Sequence, residues 1–116
     1  LADKTKRIEE ILEKTRIAFI KDTNNKMEQI QICFQQWKDH GNSQENLIDT
    51  THRHVHSIKG LALTLTYPQI HNDCERILAF ILQQESLIWT TSEINSLQSL
   101  VEHLRISVDE SFAVHE

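Results

Sequence analysis

The sequence predicts an all-α protein: an antiparallel four-helix bundle with an additional N-terminal helix. Three observations carry this. The 116 residues include only two glycines and one proline, so few positions break a helix. Apolar residues recur at three- and four-residue steps along most of the chain, and no stretch alternates strand-wise over more than a few residues. The connecting stretches are short, which sets successive helices antiparallel. With no repeat, low-complexity tract or Ser/Gly linker, residues 1–116 read as one domain, and a start at Leu1 rather than Met is compatible with excision from a longer protein.

The first helix is expected over residues 3–21, with Asp3 as its cap. Ile8, Ile11, Leu12, Thr15, Ala18 and Phe19 form its apolar stripe, and lysines and glutamates fill the other side as a solvated face. Asp22-Thr23-Asn24-Asn25 reads as a break or kink, because these side chains compete for backbone hydrogen bonds. This helix is then an extra element packed across one end of the bundle. The second helix, 25–39, carries Met27, Ile30, Phe34 and Trp37, with Cys33 beside them, and Gly41 is its left-handed stop. Asn42 with Glu45 resembles the cap of a third helix reaching about residue 66. On it Ile48, Val55, Ile58, Ala62 and Leu65 form the buried stripe.

Pro68 suits the first turn of the fourth helix, where its missing N–H is harmless. That helix, 68–84, shows Ile70, Cys74, Ile77, Leu78, Ile81 and Leu82 on one broad face. Leu87-Ile88-Trp89 is expected to fold back onto the bundle, and Thr90 with Glu93 forms a capping box. The last helix runs to about residue 112, with Ile94, Leu97, Val101, Leu104 and Val108 inward.

Composition narrows the function. A content of 39% hydrophobic and 25% charged residues is ordinary for a globular domain. A net charge of −5 weighs against a nucleic-acid binder, which would show a basic face. No apolar run is long enough to cross a membrane, and no signal peptide is visible. Cys33 and Cys74 match no metal or redox spacing and read as reduced, buried small hydrophobes.

The informative stretch is His56-Ser57-Ile58-Lys59-Gly60. On a helix, His56 lies one turn from Lys59 and Gly60, with His52 before it and Leu63 after it on the same face. A neutral imidazole is a nucleophile near neutral pH. Lys59 is a mobile cation able to offset an arriving negative group such as a phosphoryl. Gly60 costs a helix interior roughly 1 kcal/mol relative to Ala, yet it lowers the wall beside the ring so another molecule can approach. Taken singly, each has a plainer reading: a surface histidine, a snorkelling lysine, a glycine at a tight helix contact. Their combination favours a site.

His52, His54, His56 and His71 also invite a metal reading, since His52 and His56 are spaced i, i+4. Only Glu75 or His71 offers a third ligand, and Asp49 with His52 imitates the Glu-x-x-His pair of di-iron bundles weakly. The balance is against a native metal site, and His54 reads as a surface residue. No Gly-rich phosphate loop is present.

The His-x-x-Lys-Gly core at His56, Lys59 and Gly60 in a long bundle helix resembles the histidine-containing phosphotransfer (HPt) family, which includes the phosphotransfer domain of chemotaxis kinases. The likeness covers nearly the whole chain in architecture, with the specific residues within 55–77. It implies a phosphorelay intermediate of two-component signalling rather than an independent kinase. His56 would be the phosphoacceptor, Lys59 would stabilise the phosphoryl oxygens, and Gly60 would give clearance. His52, Leu63 and Glu75 would belong to the docking surface. The implied partners are a response-regulator receiver domain, a histidine kinase, or both. No cofactor is implied on this chain, because the Mg2+ that assists transfer belongs to the receiver. The resemblance further implies a monomer, placed in the cytoplasm or in the cytoplasmic part of a larger signalling protein. Leu61, Leu63 and Thr66 stand where many members carry Gly, Ala or Ser, and Leu78 where a chemotaxis-kinase domain has a Glu that orients its His, with Glu75 one turn away as a substitute. These departures keep open a second reading: a degenerate HPt-like helical module that docks a receiver or a neighbouring catalytic domain without carrying phosphate.

Overall fold

Four helices build the protein in the computed structural model, which describes residues 2–41 and 43–115: α1 (Ala2–His40), α2 (Gln44–Ala62), α3 (Pro68–Gln83) and α4 (Thr91–His115). Successive helices pack side by side, and α4 closes the ring against α1 along the thinnest seam. The core is one cluster to which every helix contributes, including Ile30, Leu47, Ile58, Ile77 and Leu104. Truncating such a fully buried side chain to Ala costs about 2–5 kcal/mol.

The expected all-α bundle is present, but the separate N-terminal helix is not. The stretches expected as two helices form one α1 of 39 residues. At 1.5 Å per residue that helix is about 58 Å long, and it spans the 57 Å long axis of the molecule. The Asp22–Asn25 cluster stays helical for three reasons. Asp, Asn and Thr each cost an interior no more than about 0.7 kcal/mol relative to Ala, unlike Pro. Lys26 pairs with Asp22 one turn back, across the cluster. Thr23 is fully buried in line with Phe19, Met27, Ile30 and Phe34, so tertiary packing holds the helix where propensity is weak.

The first turns of α1 therefore do not fold across the bundle. Residues 3–14 are exposed on every face. Of the stripe Ile8, Ile11, Leu12, Thr15, Ala18 and Phe19, only Phe19 is buried. It closes the end of the core by stacking on Tyr67, ring centroids 5.7 Å apart, while Phe112 meets both edge-on.

The helix ends follow local chemistry. Gly41 takes φ +62° and donates its N–H to the Trp37 carbonyl at 3.2 Å, a left-handed stop for α1. Asn42 lies outside the described residues; the residue capping α2 is Ser43, whose carbonyl accepts from Leu47 N–H. Past Ala62 the chain makes a Schellman turn. Tyr67 N–H reaches the Ala62 carbonyl at 2.8 Å, Thr66 N–H reaches Leu63 at 3.1 Å, and Thr66 itself adopts φ +67°. Pro68 occupies the first turn of α3. Thr90 and Glu93 exchange both bonds of a capping box, at 3.0 and 3.1 Å.

Between α3 and α4, only Trp89 of the apolar triplet folds back. It is buried, with Phe80 edge-on, while Leu87 and Ile88 are exposed. The Gln44 side-chain amide clamps the Trp89 backbone, donating to its carbonyl at 2.7 Å and accepting from its N–H at 3.0 Å. Leu82 also departs from expectation and is exposed, because it lies off the α3 face that meets the core.

Candidate functional site

The α2 stripe that enters the core is Leu47, Thr51, Val55, Ile58 and Ala62. Burying it turns the opposite side outward, and that side carries His52, His56, Lys59, Gly60 and Leu63. Helical spacing puts them in one row, and α3 supplies the neighbouring wall. The result is a shallow open depression lined by His56, Lys59, Gly60, Leu63, Thr64 and His71. Four residues singled out in the sequence thus meet in one place, joined by Thr64 and His71.

The geometry is open. His56 is exposed, and a Cβ built on Gly60 would meet nothing within 4 Å. Gly60 is therefore not at a tight helix contact. Leu63 is 57% exposed and forms one side of the depression without covering the ring. His52 stands beside His56 with ring planes parallel to 2° and centroids 6.2 Å apart. Among the described residues, none hydrogen-bonds the His56 imidazole, and none forms an ion pair with Lys59.

Glu75 does not reach His56. It pairs with His71, Oε1 to Nε2 at 3.2 Å, at the edge of the depression. Leu78 is half-buried against the core. Beneath the site lies Cys74, fully buried. Desolvation first, and then the neighbouring Asp73, push its thiol up to about 12, while the Lys59 charge opposes them. At neutral pH it is a protonated packing group and no nucleophile.

His54 sits off this face. Its ring hydrogen-bonds Gln29 Oε1 on α1 at 2.8 Å and is half-buried, so it ties two helices together rather than lying free on the surface. Burial, and then the charges of Arg53 and Lys26, hold its pKa below the ordinary histidine value. Among the described residues no group of three His, Cys, Asp or Glu side chains is placed to hold a metal ion.

His71 is the site residue the sequence reading weighed only as a metal ligand. Its position is set by how α3 lies against α2, which periodicity along one helix does not encode.

The protein is thus an all-α bundle that presents a histidine, a lysine and a glycine on one open helix face. The sequence model of the Hpt domain matches residues 6–107, and the chain belongs to this family of histidine-containing phosphotransfer domains. Neither a curated protein nor a solved structure matched the chain. Hpt domains serve phosphorelays of two-component signalling; they carry phosphoryl groups between kinases and receiver domains and are not independent enzymes. No helix among the described residues is long and apolar enough to cross a membrane.

Proposed function

We propose that His56 is the phosphoacceptor of this chain, taking a phosphoryl group from, or returning it to, the aspartate of a response-regulator receiver domain. The carrying observation is the open depression that brings exposed His56 together with Lys59 and Gly60. In the forward step the Nε2 lone pair of a neutral ring forms the N–P bond as the P–O bond of the acyl phosphate breaks and the partner's carboxylate leaves. Such transfers pass through a loose transition state, so catalysis is mostly positioning and charge stabilisation. Lys59, one turn along, offsets charge on the phosphoryl oxygens. The open space at Gly60 admits the donor in line with the ring. His52, Leu63 and Glu75 belong to the surface the partner meets. The Mg2+ that assists the transfer is expected on the receiver, and the acting species is expected to be a monomer, working on the cytoplasmic side.

That none of the described residues hydrogen-bonds His56 to orient it, with Glu75 committed to His71, favours the second reading, a docking module that carries no phosphate. Phosphorylation of the purified chain by a small phosphoramidate donor separates the two. The expected result is a gain of one acid-labile phosphoryl by intact mass, absent in His56→Gln. A folded bundle that gains nothing would overturn acceptor competence and leave the docking reading.

A further inference from the structure

The row on α2 that holds His56 does not end at the depression. One, two and three turns toward the N-terminus it continues through His52, Asp49 and Glu45, and there a second groove opens against the end of α3. Ile48, Ile81 and Trp89 form its apolar floor, and Leu87 and His52 stand at its sides. His52 joins the two concavities: it lines this groove, and its ring lies parallel to that of His56. The groove also carries the most exposed apolar side chain on the described surface, Leu87 at 99%, with Ile88 at 76% beside it. This exposed connection is held in place, because the Gln44 amide clamps Trp89 and the Ser86 hydroxyl accepts from Ile88 N–H at 3.2 Å.

We infer that this groove is the second contact of the receiver domain that exchanges phosphate with His56, gripping an apolar segment of the receiver flanked by a basic side chain. The inference rests on the reading of His56 as acceptor. Three features point to a receiver as occupant. The groove adjoins the reacting face through His52, whose ring lies beside that of His56, so a partner centred on His56 reaches both. Charge along the α2 row is polarised: Lys59 stands at the reacting end, suited to an aspartyl phosphate, while Glu45 and Asp49 line the far end. Asp49 is already paired with Arg53 at 3.1 Å, which leaves Glu45 as the anion open to a partner cation. Size fits as well. From Glu45 to Leu63 the row is about 27 Å long, and two adjacent helix faces are about 20 Å wide. The resulting patch of roughly 500 Å2 lies at the small end of specific interfaces, suited to a partner that must leave after each transfer.

The test phosphorylates the whole chain with phosphoramidate, then follows loss of the label to each receiver domain encoded by the same genome, with Mg2+, over a range of receiver concentrations. Leu87→Asp is the probe; with its side chain outside the core, the fold is expected to persist, checked by circular dichroism. The half-saturating receiver concentration should rise about tenfold or more, as expected for losing one buried leucine, with the maximal rate within twofold. Ile106→Asp, on α4 and exposed, should leave both unchanged. Equal half-saturation for Leu87→Asp and the unaltered chain overturns the inference, while His56 labelling shows that the acceptor reading stands. Labelled chain that no receiver discharges overturns the choice of occupant and points to a kinase domain instead. Failure of phosphoramidate to label His56 at all is the distinct failure of the acceptor reading.

Discussion

Gly60→Ala separates what this glycine does for the fold from what it does for transfer. Gly60 lies inside α2, without a positive φ, and a Cβ there would touch nothing within 4 Å. No clash offsets the gain in helix propensity, so the substitution should stabilise the bundle by about 1 kcal/mol. For a domain of this size that raises Tm by about 4 °C. The same methyl would stand in the depression beside His56, where a partner must approach. A displacement of about 1 Å in a reacting pair can cost about a hundredfold in rate. Transfer between His56 and a receiver should therefore slow tenfold or more, and labelling by the smaller phosphoramidate should slow less. Thermal melting by circular dichroism and single-turnover transfer read the two effects on one preparation. A destabilised variant would refute the open-space geometry and restore a packing role for Gly60. A stabilised variant that transfers at the unaltered rate would refute the clearance role.

Thr66 holds a left-handed conformation that costs an L-residue about 1–2 kcal/mol. After the entropy that glycine adds to the unfolded chain, Thr66→Gly should stabilise by about 0.5–1 kcal/mol, read by urea unfolding. Gln44→Ala removes both bonds to the Trp89 backbone and should cost about 1–3 kcal/mol, with a loss of near-ultraviolet signal from the tryptophan. His54 contributes a pH dependence. Its pKa is lowered in the fold, so between that value and 6.5 the unfolded chain binds more protons. The contribution is full above pH 6.5 and is lost as pH falls through the folded pKa. His54→Gln should flatten the stability profile below pH 6.5, and an unchanged slope would show that His54 is not the group responsible.

Features set by short-range chemistry were legible in the sequence. Gly41 stops α1, Pro68 opens α3 and Thr90 with Glu93 caps α4, because each depends on residues within one turn. The inward residues of α4, Ile94 through Val108, are buried as their spacing requires. The row His52, His56, Lys59/Gly60 and Leu63 followed from the same periodicity. Less legible were contacts between helices. His54 finds Gln29 across 25 positions, and Gln44 finds Trp89 across 45. That Glu75 does not cross to His56 was likewise a matter between helices, although its i, i+4 pairing with His71 on α3 follows from spacing alone.

By itself, then, the sequence determined an all-helical chain, most of the helix ends, which face of each bundle helix is apolar, and a histidine, lysine and glycine sharing one outward row. These are consequences of a 3.6-residue period and of local hydrogen bonding. The tertiary structure decided whether an apolar stripe has anything to cover it. The stripe of α1 is buried from Phe19 onward and bare before it, because Tyr67 and Phe112 close the core at that level. Tertiary packing also decided that Thr23 stays helical, that His71 joins the depression, and that the groove beside Leu87 adjoins it. Each depends on where a neighbouring helix ends, and that distance is fixed only when the helices pack.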